Sequence, residues 1–225
     1  MMAAALWIGA AGLLAADPGP QVRQPVLDSQ GRFWVYRNGP MHPRMPFSPY
    51  GWMSDATNLP QIIQVDLECP DHPNTVIQAP TPERQFCISV KMKWSEATWA
   101  SVAFISGPDK PPWWGDTSAG RYYDLSGLPK KKLIFYARGE KGGEVIQAQI
   151  GELGDKPYGD SLIKPITSGD LKLTTNWTRF EVDLSRVPSS ELTNICNGFG
   201  VLAEQTSQPG APAETQFYLD DIFYE

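Results

Sequence analysis

The chain has 225 residues, a formal net charge of −6, 21 Pro, 20 Gly and 8 Trp. Its basic residues are scattered apart from Lys130-Lys131-Lys132, so the sequence carries no nucleic-acid footprint. Pro and Gly at this density require many turns, which suits short strands and excludes a bundle of long helices.

Residues 1–16 form an apolar run, Met1 to Ala16, that turns polar at Asp17-Pro18. It is too short to span a bilayer and reads as a secretory signal, the alternative being a buried N-terminal helix. The expected layout is therefore a signal peptide over 1–16, a flexible segment over 17–32 and one β-sandwich domain over 33–225, placed in the periplasm, cell envelope or medium. No other stretch of the mature chain approaches a membrane span. Residues 33–83 are irregular and rich in Pro, which predicts long loops and a few edge strands around the sandwich.

Three cysteines follow. In an exported protein Cys69 and Cys87 are expected to pair, closing a loop worth roughly 3 kcal/mol in the chain-entropy model. Cys196 is then a buried thiol; the alternative is that all three stay reduced. There is no Cys-x-x-Cys, and His42 and His72 are far apart in sequence, which argues against zinc.

From residue 85 onward apolar and polar residues alternate with period two. Phe86, Ile88, Val90 and Met92 mark one strand, and Leu133, Phe135 and Ala137 another. The charged, glycine-rich Arg138-Gly139-Glu140-Lys141-Gly142-Gly143 is then expected to be a hairpin turn, with 145–150 as the return strand. It lacks the Lys-Ser/Thr ending and following helix of a phosphate-binding loop. Phe180, Val182 and Leu184 mark a further strand, Ser189 to Leu192 a single helical turn, and Phe199, Val201 and Ala203 a short strand. A loop over 207–213 leads to the last strand, 215–225. Alternation of this kind predicts an all-β fold, a two-sheet antiparallel sandwich.

The final strand contains Asp220-Asp221. Side chains alternate faces, so one of these acids must share a face with apolar neighbours, which costs several kcal/mol unless donors or a cation compensate. Asp220 is the preferred inward residue, grouped with Tyr218 and Ile222.

Several segments in series resemble a family of exported bacterial β-sandwich domains with a galactose-binding-like jelly-roll fold, similar to carbohydrate-binding modules. They are Gly51-Trp52-Met53-Ser54-Asp55, Trp99 to Phe104, Trp113-Trp114-Gly115-Asp116, Tyr123 to Gly127, Ala137 to Glu144, Gly159-Asp160-Ser161, Trp177 to Ser185 and Phe217 to Ile222. The resemblance implies a structural calcium near the last strand, with Asp220 as ligand and Asp55, then Asp28, as partners; the alternative is a salt bridge or backbone hydrogen bond to the same carboxylate.

Aromatic platforms are the second candidate, because sugar rings present apolar C–H faces to Trp and Tyr. Trp113 and Trp114 follow a Pro-rich loop, Trp94 and Trp99 flank a turn, and Tyr122 and Tyr136 extend the surface; the alternative is core packing. Glu181 and Asp183 are the one acid pair on a shared strand face, but their alternation with apolar residues points them to solvent. No nucleophile elbow or His-Glu-x-x-His motif is present. The expected function is a non-catalytic module that binds a polysaccharide or glycan surface. The alternatives are a structural or protein-interaction domain of the cell envelope and, ranked last, a polysaccharide-degrading enzyme.

Overall fold

The computed structural model describes residues 21–37, 46–69, 86–106, 121–151, 160–162 and 164–225. In chain order the strands are β1 (Gln21–Arg23), β2 (Phe33–Tyr36), β3 (Ser48–Ser54), β4 (Ile63–Cys69), β5 (Cys87–Lys93), β6 (Trp99–Ile105), β7 (Arg121–Tyr123), β8 (Lys132–Gly139), β9 (Val145–Ile150), β10 (Ile166–Thr167), β11 (Leu171–Lys172), β12 (Thr178–Asp183), β13 (Asn197–Glu204) and β14 (Glu214–Tyr224). One helical turn, α1 (Leu59–Ile62), precedes β4, and Ser189–Leu192 forms a 3-10 turn where the sequence predicts one.

Two six-stranded antiparallel sheets face each other. The first runs β10-β9-β13-β6-β3 with β11 also on β9; the second runs β12-β8-β14-β5-β4 with β2 also on β14. The expected all-β sandwich is the observed fold. As the Pro-rich first third suggests, β3 and β4 take the edges. Ahead of residue 33, β1 pairs in parallel with β7, so structure begins within the segment read as a flexible lead-in.

Alternation assigns the faces. Phe135 of β8, Phe180 of β12 and Phe217 and Leu219 of β14 point between the sheets and meet Phe104, Phe199 and Val201 of the first sheet. Phe199 bridges the layers, its ring 5.3 Å from both Phe104 and Phe135. Burying this apolar surface is the main stabilising contribution, at about 25 cal/mol per Å².

Two features of connectivity differ from the sequence reading. The segment from Gly139 to Glu144 is a turn, but it joins no hairpin: β8 pairs with β12 and β14 in the second sheet, whereas β9 pairs with β13, β10 and β11 in the first. The turn carries the chain across the sandwich. Gly139 allows this because Glu144 Oε2 packs over its α-carbon, where an added Cβ would lie 1.8 Å from the oxygen.

The second difference lies in β14. Its pairing with β8 slips between Asp220 and Phe223, and Asp221 adopts a φ of 45°. This is a β-bulge, and Asp is one of the few non-glycine residues that tolerate positive φ. Before the bulge, Phe217 and Leu219 face the core; after it, Ile222 and Tyr224 do. Phe223 turns outward to join Ile134 and Tyr136. Asp220, in register with Tyr136, therefore shares a face with Tyr218 but not with Ile222, contrary to the expected grouping. Both acids are buried, at 0% and 1% exposure, and Asp221 N–H donates to Asp220 Oδ1 at 2.8 Å. The bulge coincides with a change of neighbour: β5 pairs with Glu214 to Leu219, and β2 with Ile222 to Tyr224.

Candidate ligand-binding face

The outer side of the second sheet departs from the polar surface that an antiparallel sandwich ordinarily shows to water. Ile134, Tyr136 and Phe223 form a buried floor there, and the half-buried indoles of Trp34 and Trp177 pack against it. Trp34 comes from β2, opposite Phe223 in the ladder, with ring centroids 4.8 Å apart. Trp177 stands immediately before β12, whose Arg179 is in register with Tyr136.

Guanidiniums lie over these rings. Arg32 is 4.7 Å from the Phe223 centroid and 5.8 Å from that of Trp34, and Arg37 is 5.0 Å from Trp34. Arg138 sits 4.1 Å from Tyr218 and 5.7 Å from Trp177. Such cation–π contacts are worth about 0.5–1 kcal/mol each at exposed sites. They place guanidinium groups over the rings on the outer side of the second sheet.

Asp28 orients the first indole. Its Oδ2 accepts from Trp34 Nε1 at 2.8 Å, and its Oδ1 accepts from the backbone N–H of Gln30 and Arg32. Burial opposes the charge, yet these donors, with Arg32 nearby, hold the carboxyl below its ordinary range. Burial pushes the Tyr136 phenol upward, against the pull of Arg179 and Arg32. At the far end of the face, Tyr218 donates to Glu140 Oε2 at 2.6 Å, and burial together with that carboxylate raises the phenol well above its ordinary value. Glu140 and Gln216 then open onto a groove of about 330 Å³, walled by Pro209 and Pro212.

The aromatic residues singled out in the sequence are dispersed. Trp113 and Trp114 lie outside the described residues. Trp94 is buried, its indole N–H donating to Thr215 Oγ1 at 2.9 Å, so it belongs to the core and not to a surface platform. Tyr122 is likewise buried, packed with Ala103 and Cys196 against the other sheet. Trp99 is half-buried at the start of β6, away from the second sheet. Among the described ones Tyr136 joins the candidate face, as part of its floor. Sequence reasoning missed Trp34 and the arginines; the available signal was Trp34 alternating against Phe33 and Val35 in a strand-like run.

The acids named for calcium are not assembled. Among the described residues no group of three His, Cys, Asp or Glu side chains could hold a metal ion. Asp55 caps a turn by accepting from Thr98 N and Oγ1 and from Trp99 N, which lowers its pKa, and Asp28 holds the turn before β2. Asp28, Asp55 and Asp220 therefore do not form one cluster among the described residues. The expected disulfide is also not formed: Cys69 and Cys87 are opposite in the β4–β5 register, but both thiols are free and Cys87 Sγ–H donates to the Cys69 carbonyl at 3.7 Å. Cys196 is buried, as expected. Glu181 is engaged by Lys132 Nζ at 2.6 Å and Arg179 at 3.1 Å, which hold its carboxyl below the usual range. Among the described residues no helix is long and apolar enough to cross a membrane.

No family profile and no curated protein matches the chain. Solved structures that it is similar to include carbohydrate-binding modules. A family 30 module of a cellulosomal cellulase of Clostridium thermocellum aligns over 85% of this chain and 95% of its own, at 13% identity and a TM-score of 0.49. A family 11 module from the same organism, solved with a β-1,3-1,4-mixed-linked tetrasaccharide, aligns over 77% and 86%, at 13% identity and a TM-score of 0.41. A family 29 module from Piromyces equi aligns over 86% and 88%, at 9% identity and a TM-score of 0.38.

Proposed function

We propose that this protein is a secreted, non-catalytic module that binds a carbohydrate chain on the outer face of its second sheet. The observation that supports the reading is the pair of half-buried indoles, Trp34 and Trp177, set over a floor of Ile134, Tyr136 and Phe223. A sheet face made of rings and planar guanidiniums offers stacking area at low conformational cost, which is what the C–H faces of a sugar require. Trp113 and Trp114 are proposed to extend the contact from their loop. The 1–16 segment is proposed to direct export.

Affinity electrophoresis of the full chain through gels containing soluble polysaccharides tests this. The wild type is expected to be retarded by at least one polysaccharide, and Trp34→Ala and Trp177→Ala each to migrate freely while keeping wild-type circular dichroism. Equal retardation of both variants would move the site elsewhere. No retardation on any glycan would return the domain to a structural or protein-interaction role.

A further inference from the structure

Charged side chains of both signs gather around the aromatic floor, but the arginines among them stand apart. Arg32, Arg37 and Arg138 all lie against its rings, and among the described residues none of them forms an ion pair with a carboxylate. Among the described residues Arg138 donates a long 3.4 Å bond from Nη1 to the Gly139 carbonyl, and its Nη2 is buried without an acceptor. A buried donor without a partner costs free energy, so this guanidinium lacks an acceptor that a ligand can supply once the side chain turns toward it.

The nearby acids are otherwise engaged. Glu181 and Glu225 are held by Lys132, Arg179 and Lys130, and Glu140 accepts from Tyr218. Asp28 accepts from the Trp34 indole and the turn backbone, lending Arg32 only a Coulombic interaction. Asp220 and Asp221 lie buried in β14 with interactions of their own. The charges beside the two indoles that have no ion-pair partner among the described residues are therefore the three guanidiniums, on a protein whose net charge is −6.

Resting on the glycan-binding reading above, we propose that the ligand is an anionic polysaccharide, its acid groups taken by Arg32, Arg37 and Arg138 while its rings stack on Trp34 and Trp177. Guanidinium presents a planar fork of N–H donors that matches a carboxylate or sulfate oxygen pair, and its stacking on an aromatic ring fixes that fork before the ligand arrives. The overall negative charge of the protein works against indiscriminate capture of polyanions, so recognition must come from this local arrangement.

Polygalacturonate and its fully methyl-esterified form share a backbone and differ in charge, and dextran sulfate supplies the sulfate alternative. The full chain is expected to bind polygalacturonate or dextran sulfate about tenfold or more tighter than the methyl ester, and Arg32→Gln/Arg37→Gln to lose about that factor on the acid polymer alone. Arg138→Gln is expected to do the same, with unchanged circular dichroism for all variants. Retention by dextran sulfate alone identifies sulfate as the acid, and by polygalacturonate alone carboxylate. Equal binding of the acid and the ester, or a double variant that binds the acid form like wild type, overturns the charge proposal while leaving the glycan face standing. Failure to bind these polymers and neutral β-glucans alike removes both.

Discussion

On the inner side of the second sheet, Phe135, Phe217 and Leu219 are fully enclosed by apolar neighbours from both layers. On its outer side, Ile134, Tyr136 and Phe223 are almost as enclosed, but their cover consists of indoles and guanidiniums. The same strands build both surfaces, residue by residue in alternation. Apolar burial alone therefore does not distinguish core from site; the chemistry of what covers the rings does. A surface closed by aliphatic groups serves packing, whereas one closed by guanidiniums and half-buried indoles keeps polar groups and ring edges at the surface.

Truncation should separate the two sides most sharply. Phe135→Ala removes a ring that touches both Phe180 and Phe199 and is expected to cost about 3–5 kcal/mol in urea denaturation. Gly139→Ala drives a methyl group into Glu144 Oε2 at the crossover between sheets, for a loss of roughly 1–3 kcal/mol in the same assay. On the outer side, Trp34→Ala is expected to cost only about 1–2 kcal/mol, since the indole is half-buried, while abolishing glycan retention. A Trp34→Ala loss as large as that of Phe135→Ala would erase the distinction. Asp28→Ala releases the indole from its acceptor, at about 1 kcal/mol, and should weaken retention without abolishing it.

The smallest effect concerns a thiol remote from either side. Burial, then the neighbouring Asp160, pushes Cys196 from 9.0 up to about 12. Because the folded value lies above the unfolded one, the stabilisation is complete below about pH 9 and is lost as pH rises toward 12. The folded chain should leave Cys196 unmodified by iodoacetamide at about pH 8, since the thiolate is the reactive species. Rapid alkylation there would place Cys196 in an open environment.

Much of the fold was legible because period-two alternation reports which face a residue takes. Val145 to Ile150 was placed as a strand on that ground, and the structure agrees in every residue. Its partner was not legible, because alternation carries no information about which sheet receives a strand; hence the apparent hairpin at Gly139 to Glu144 proved to be a crossover. Asp220-Asp221 signals a buried acid, but Asp220 lies on the outer face opposite Tyr136 instead of inward with Ile222, and Asp221 is buried as well. The bulge was not legible, since an Asp at positive φ looks in sequence like any other Asp. The site was less legible still. Trp94 and Tyr122 were candidates by ring type, but their exposure depends on Thr215 and Cys196, far away in the chain. Trp34 gains its role from Asp28 and Phe223, a pairing that forms only when the two ends of the domain meet.

The bulge at Asp221 has one more consequence. A regular ribbon keeps each residue class on one side for its whole length, so a long closing strand could not place Leu219, Ile222 and Tyr224 in one interior and Phe223 in the opposite layer. One surplus residue shifts the phase of the last three positions. Straightening the strand with every residue retained would exchange the destinations of Phe223 and Tyr224, breaking the hydrogen bond from the Tyr224 hydroxyl to the Gly198 carbonyl and stripping the aromatic floor of a ring in a single step.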